Sequence, residues 1–130
     1  MSTVAVPLLP KEQYDNNLIV VLDGNGVEVS LSSKSHDPKV IGITTDYDNA
    51  EIGLCGFGEI PFPLVAVTGR VMCQVRGPIG FGDCIVTSDN AGIGQKLDTA
   101  KYVPGCIVAK SLGEIKDNNV HLIEVVLTTA

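Results

Sequence analysis

The longest regular pattern of hydrophobic and polar positions in the chain lies in residues 63–76, PLVAVTGRVMCQVR. One face of the pattern carries Val65, Val67, Gly69, Val71, Cys73 and Val75. The other carries Ala66, Thr68, Arg70, Met72, Gln74 and Arg76. A period of two predicts an extended strand of about 40 Å, with a bulge or bend expected at Gly69. Residues 77–83 then turn the chain into a strand at residues 84–87, and we expect the rest of the molecule to pack around this pair.

Shorter apolar runs bounded by Gly, Pro, Asn and Asp predict further strands. They lie at residues 18–22, 27–31, 39–45, 93–97, 105–110 and 120–127. Asn25-Gly26 predicts a type I′ hairpin. The last run is apolar at nearly every position, which is typical of a strand covered on both sides. Because no window shows a helical period, we predict an all-β, compact barrel-like or sandwich domain. It would consist of short antiparallel strands around one long strand, with little or no α-helix.

A weak internal repeat relates residues 18–45 to residues 84–111, each unit being a hairpin, a polar loop and one more strand. The glycines suggest the alignment, Gly26 with Gly92 and Gly42 with Gly105, at an offset of about 65 residues. The repeat predicts a pseudo-symmetric architecture. Residues 1–17 are predicted to form an extended N-terminal arm or a frayed end, and residues 18–130 a single all-β domain.

Composition narrows the classes of function. Hydrophobic residues make up 45% of the chain and aromatic residues 5%, so the core is predicted to be aliphatic. A net charge of −6 argues against binding to nucleic-acid backbones, which requires clustered cations. The only two arginines, Arg70 and Arg76, share one strand face. No apolar run is long enough to span a membrane, and residues 1–13 lack the basic start and apolar core of a secretory signal.

The four cysteines, Cys55, Cys73, Cys84 and Cys106, do not form the closely spaced pairs typical of zinc sites. We expect reduced, mostly buried thiols, with Cys55 in a glycine-rich loop as the one to test for reactivity. The acidic residues Asp46, Asp48 and Glu51 could bind a cation, but their spacing is not that of an EF-hand, and a solvated loop is favoured. No metal or cofactor is therefore predicted.

Three further motifs resemble catalytic elements only in composition. Ser35, His36 and Asp37 are consecutive, whereas a catalytic triad converges from separate elements, so a polar loop is favoured. His121 is expected to be a core or interface histidine. Residues 53–58 have the wrong glycine spacing for a phosphate-binding loop. The residues thus predict no catalytic, cofactor-binding or metal site.

Several motifs taken together resemble a domain found at the C-termini of phage tail fibres and neck appendages. They are the Asp23-Gly24 turn and residues 37–44 (DPKVIGIT), 65–75 (VAVTGRVMCQV), 77–88 (GPIGFGDCIVTS) and 105–112. The family includes the self-cleaving intramolecular-chaperone domain, a glutamic-type peptidase. The resemblance covers residues 17–128 and implies an all-β domain that assembles as a homotrimer on a virion, after synthesis in the host cytoplasm.

Self-cleaving members of that family carry an acidic, aromatic segment before the first strand, where this chain has only KEQYD. No catalytic residue is transferred, and a non-enzymatic virion structural protein is the leading hypothesis. Other virion proteins are its expected partners, with no nucleic acid and no membrane. A capsid decoration protein that uses its arm to add a strand to the capsid lattice is the alternative. A self-cleaving peptidase or other hydrolase and a glycan-binding module are further alternatives.

Overall fold

The computed structural model describes residues 4–7, 9–10, 15–23, 28–45, 51–52 and 64–128, and the predicted all-β class is confirmed. The strands are β1 (Val4–Pro7), β2 (Leu9–Pro10), β3 (Ile19–Asp23), β4 (Glu28–Leu31), β5 (Val40–Thr45), β6 (Glu51–Ile52), β7 (Leu64–Arg76), β8 (Cys84–Thr87), β9 (Gly94–Lys96), β10 (Ile107–Ser111) and β11 (Val120–Leu127). The described residues contain one helical element, a turn of 3₁₀ helix at Thr99–Lys101.

Five strands close into a barrel in the order β7–β9–β8–β10–β11, and β11 pairs back to β7. The longest ladder of the barrel joins β7 and β11, from Arg76–Val120 to Gly69–Leu127. β7 and β8, around which the rest of the molecule was expected to pack, are not hydrogen-bonded to each other, because β9 lies between them. A Cβ on Gly94 would lie 2.8 Å from Ile85, so the absent side chain lets β9 fit closely there.

A second set of strands continues from the first half of β7, in the order β7–β5–β3–β4–β2. β1 pairs with the other edge of β7, and β2 pairs with β4. The segment that contains β1 and β2 therefore meets both edges of this set, and we call the set with that segment the first barrel. The extended arm at residues 1–17 stays a prediction, and β1 and β2 within it pair with strands of the domain.

The strand pairings bear out the internal repeat. Val6 pairs with Val65 in the first barrel, and Val71 and Val125, which lie 65 and 60 residues further along the chain, form the corresponding pair in the second. Likewise the parallel contact of Pro10 with Val29 recurs as that of Val75 with Gly94. The first half of β7 thus closes the first barrel, and its second half opens the second one.

The glycine alignment is wrong at one position. Gly42 pairs with Val20 next to a register shift, and the same shift in the second barrel pairs Ala109 with Ile85. Gly42 therefore corresponds to Ala109, and not to Gly105. Residues 97–106, which lead into β10, outnumber residues 32–39, which lead into β5, so a constant offset fails beyond the loops.

The hydrophobic core has two parts separated by the sheet β3–β5–β7. Val20, Val29 and Val65 pack together inside the first barrel. Their sequence neighbours Ile19 and Ala66 belong to the larger core of the second barrel. Alternate side chains of one sheet thus reach two cores, because successive residues of a strand point to opposite faces. The positive φ of +92° at Gly69 lies where β7 passes from one barrel to the other, as expected for a bend at that glycine.

Candidate functional site: the outer face of β7 and β11

The ladder of β7 and β11 has one face that points away from the barrel interior and exposes apolar side chains. Inward-pointing residues such as Val71, Cys73 and Val125 are buried in the barrel. The alternate positions form what we call the outer face: Arg70, Met72, Gln74 and Arg76 on β7, and Val120, Leu122, Glu124 and Val126 on β11. Both arginines therefore share a face, as the pattern predicted.

The outer face exposes large apolar side chains. Leu122 is 51% exposed and Met72 37%. Leu112, at 40%, adjoins the face, because its N–H donates to the carbonyl oxygen of Glu124 over 2.9 Å. The prediction that β11 is covered on both sides is wrong for this chain taken alone. The sequence did indicate the open side at one position, because the charged residue Glu124 lies on the same face of the strand as Leu122.

The charges of the outer face are partly matched within the chain. The Arg70 guanidinium lies 3.1 Å from a Glu124 carboxylate oxygen, and both side chains are substantially exposed. Arg76 donates to the Asn118 carbonyl oxygen over 3.1 Å. Exposed ion pairs of this kind contribute little to stability, at most about 1 kcal/mol. Their effect here is to hold charged groups around Met72 and Leu122 at the rim of an apolar centre.

Ser35, His36 and Asp37 form part of a polar junction between the two barrels. The loop that carries them is fixed to the second barrel, since the backbone N–H of Asp37 donates to Thr87 Oγ1 over 2.8 Å. Gln95 Nε2 donates to Ser35 Oγ over 3.0 Å. The predicted polar loop is therefore present, but His36 and Asp37 are buried in it. Sequence reasoning missed Thr87 and Gln95, which lie in strands remote from the loop.

The hydrogen bonds of His36 orient it against nucleophile activation. Asp98 donates its backbone N–H to His36 Nε2 over 3.0 Å, so this nitrogen must carry the lone pair. The proton of the neutral ring then lies on Nδ1, which donates to Ser35 Oγ at 2.5 Å. A general base would need to accept the serine proton instead. The Asp37 carboxylate accepts from the Lys39 N–H at 2.9 Å, so the three residues form a structural network.

Two of the three described cysteines are buried, as the composition predicts. Cys73 and Cys106 are buried, whereas Cys84 is half-buried, and all three are free thiols. Burial raises the pKa of Cys73 to about 12, so its thiol stays protonated at neutral pH. The neutral form suits a small apolar group in the barrel core.

His121 lies outside the core, so of the two alternatives that the sequence predicted the core histidine is wrong, and the interface histidine stays a prediction. Its side chain is 46% exposed at the start of β11, and Nε2 lies 2.8 Å from Asp117 Oδ1. Two hydrogen bonds to the charged form lower the pKa of the Asp117 carboxyl. The larger effect comes from the backbone N–H of Asn119 and the smaller one from the side chain of His121. His121 lies next to the last pair of the ladder, Val120 with Arg76, and the barrel does not cover its imidazole ring at this end.

Replacing His121 with alanine is expected to raise the pKa of Asp117 only part of the way to its ordinary value, because Asn119 still donates. ¹³C NMR titration of the carboxyl carbon measures this. Because the pKa of Asp117 is lower in the folded chain than in the unfolded chain, its ionised carboxylate stabilises the fold above the unfolded-state pKa. This stabilisation is lost as the pH falls through the folded-state pKa. A complete return to the ordinary value would assign the shift to His121 alone.

The remaining residues singled out in the sequence lie outside the described part. Asp46, Asp48, Cys55 and residues 53–58 are not among the described residues, and neither are the Asn25-Gly26 turn and the side chain of Glu51. Within the described residues, no three His, Cys, Asp or Glu side chains are grouped so that they could hold a metal ion. The same residues include no helix with the length and apolar character needed to cross a membrane.

The geometry defines a class of protein, an all-β chain of two structurally repeated halves that share one long strand. No protein-family model matches the sequence, and no curated protein matches it either.

Proposed function

We propose that this protein is a non-enzymatic structural component of a bacteriophage virion, a homotrimeric building block of the tail-fibre or appendage type. The observation that carries the self-association is the outer face of β7 and β11. β11 has the sequence of a strand covered on both sides, and one of its sides is open in the single chain. The virion assignment is supported by the sequence resemblance described above.

Burial of Leu122 and Met72 by another copy accounts for this sequence. Each large aliphatic side chain removed from water contributes about 1.5–3 kcal/mol, which a lone chain forgoes at these positions. Three copies placed around a three-fold axis would bring their outer faces together and leave no open end to the assembly. The apolar centre with arginine at its edges resembles an interface core with a polar rim.

The charge distribution also favours this face. The chain carries a net charge of −6, so copies repel one another at most surfaces. Both arginines of the sequence, Arg70 and Arg76, lie on the outer face. Contact through this face therefore brings together surfaces on which two arginines accompany one carboxylate, that of Glu124.

Mass measurement in solution tests the self-association. Light scattering after size exclusion at micromolar concentration is expected to give the mass of three chains for the wild type and of one chain for Leu122→Lys. A lysine at the centre of the contact would bury an unpaired charge. A matched control is Tyr102→Lys, at another exposed apolar residue, 46% exposed and outside the outer face, which should leave the mass unchanged.

A monomeric wild type at micromolar concentration would contradict the trimer. Equal dissociation by Leu122→Lys and Tyr102→Lys would show that the contact is not centred on the outer face. The virion assignment is tested separately, by electron microscopy of the source particle with this chain located in it. Density in a tail fibre or appendage supports the proposal, whereas a position on the capsid surface favours a decoration protein.

A further inference from the structure

The segment that contains β1 and β2 has a distinctive place in the fold. It pairs with the first half of β7 on one side and with β4 on the other. In the structural repeat this segment corresponds to the second half of β7, which continues directly from the first half of the same strand. Within this sequence, β1 and β2 instead precede every other described strand. β1 also pairs with β6, for which no other pairing is described. Departure of β1 and β2 would therefore take only β6 from the sheet and would leave every other described strand paired.

The chain is firmly attached just after this segment. The Thr44 hydroxyl donates to the carbonyl oxygen of Asp15 over 2.7 Å. Asn17 donates its N–H to the Thr44 carbonyl oxygen at 2.7 Å and accepts from the Gln74 N–H at 3.0 Å. Asn17 also has a φ of +68°, in the left-handed region. Movement of the segment would therefore stop at Asp15, and β3, β4, β5 and β7 would keep their pairings with one another.

We propose that residues 4–10 are exchanged between copies of this chain, so that β1 and β2 of one copy complete the first barrel of its neighbour. Departure of the segment opens the edges of β4 and β7, and an open edge is a template for another strand. The same segment from a second copy restores the same pairings, so exchange costs little in strand pairing. The inference rests on the proposed self-association, which places a neighbour's segment at a high effective concentration.

Disulfide trapping between co-expressed chains tests the exchange. One chain carries Val6→Cys and a purification tag, and the other carries Val65→Cys without a tag. These residues are opposite each other in the register of β1 and β7, at a separation that a disulfide can bridge. Exchange is expected to produce a disulfide between a tagged and an untagged chain, identified by intact mass and abolished by reductant.

The repeat supplies a matched control. Val71→Cys and Val125→Cys mark the equivalent pair in the second barrel, where the counterpart of β1 is the second half of β7 and continues directly from the first half. Co-expression of these two variants is expected to give no disulfide between chains. The double variant Val6→Cys/Val65→Cys, expressed alone, shows whether the first pair can form a disulfide at all. A disulfide confined to single chains there, with none between co-expressed chains, would overturn the exchange.

A second measurement needs no cysteine. A fluorescent peptide of residues 4–10 is incubated with the full-length wild-type chain, with a scrambled peptide as control. Selective binding of the native peptide supports an exchangeable segment, and its failure to bind contradicts one. A trimer by mass without exchange in these tests would leave the proposed function intact and refute only this inference, whereas a monomer refutes the proposed self-association itself.

Discussion

Gly42→Ala is expected to lower the free energy of unfolding by about 3 kcal/mol, the upper end of what overpacking usually costs. A Cβ at Gly42 would collide with the carbonyl oxygen of Ala66 and would lie 2.7 Å from Val65 Cγ1. The first of these atoms belongs to the backbone of β7 and cannot rotate away. β5 would have to separate from β7, at the sheet that divides the two cores. Urea unfolding followed by circular dichroism measures the loss.

Gly113→Ala is the matched control for Gly42→Ala. A Cβ at Gly113 would have its nearest contact at 3.4 Å, with Ile123, which is an ordinary van der Waals separation. We expect its effect on the free energy of unfolding to stay within about 0.5 kcal/mol. Ala109, at the position that corresponds to Gly42, is fully buried with its Cβ in place. Equal effects of Gly42→Ala and Gly113→Ala would mean that β5 lies farther from β7 than described.

The sequence predicted most of the strands because their alternation is local. β8 and β11 have the predicted bounds, and β3, β4 and β5 differ by a residue at one end or both. The length of β7 also followed from the alternation at residues 63–76. The bend expected at Gly69 does not break the strand, because β7 continues through it from Leu64 to Arg76. These features depend on which side chains face a core, and that information lies within a few neighbouring residues.

Strand order was harder to predict because it depends on contacts between remote residues. The insertion of β9 between β7 and β8 relies on one parallel contact, Val75 with Gly94. Nothing in the local pattern indicates that pairing. The junction of His36 with Asp98 likewise joins loops that are far apart in the sequence. The open side of β11 was missed for another reason, since apolar residues look alike whether the same chain or a second copy covers them.

Ile43→Ala is the other substitution for which we expect a large loss, about 2–5 kcal/mol in the free energy of unfolding. Ile43 is fully buried and lies in a strand of the first barrel. Its side chain nevertheless belongs to the core of the second barrel, with Val75 and Ile85. Truncation leaves a cavity where the two halves meet, so both halves lose packing. Ile43→Val, the matched conservative change, should cost about 0.5–1.5 kcal/mol.

The two halves are further expected to unfold together in Ile43→Ala, because β7 is a strand of both barrels and the cavity lies in the core of the second barrel, to which Ile43 of the first barrel contributes. Far-ultraviolet circular dichroism and methyl NMR signals of Val29 and Val108, one in each core, should show the same midpoint in urea. Protein concentration must be held constant, since self-association adds to apparent stability. Separate midpoints for Val29 and Val108 would mean that the barrels unfold independently and that β7 does not couple them.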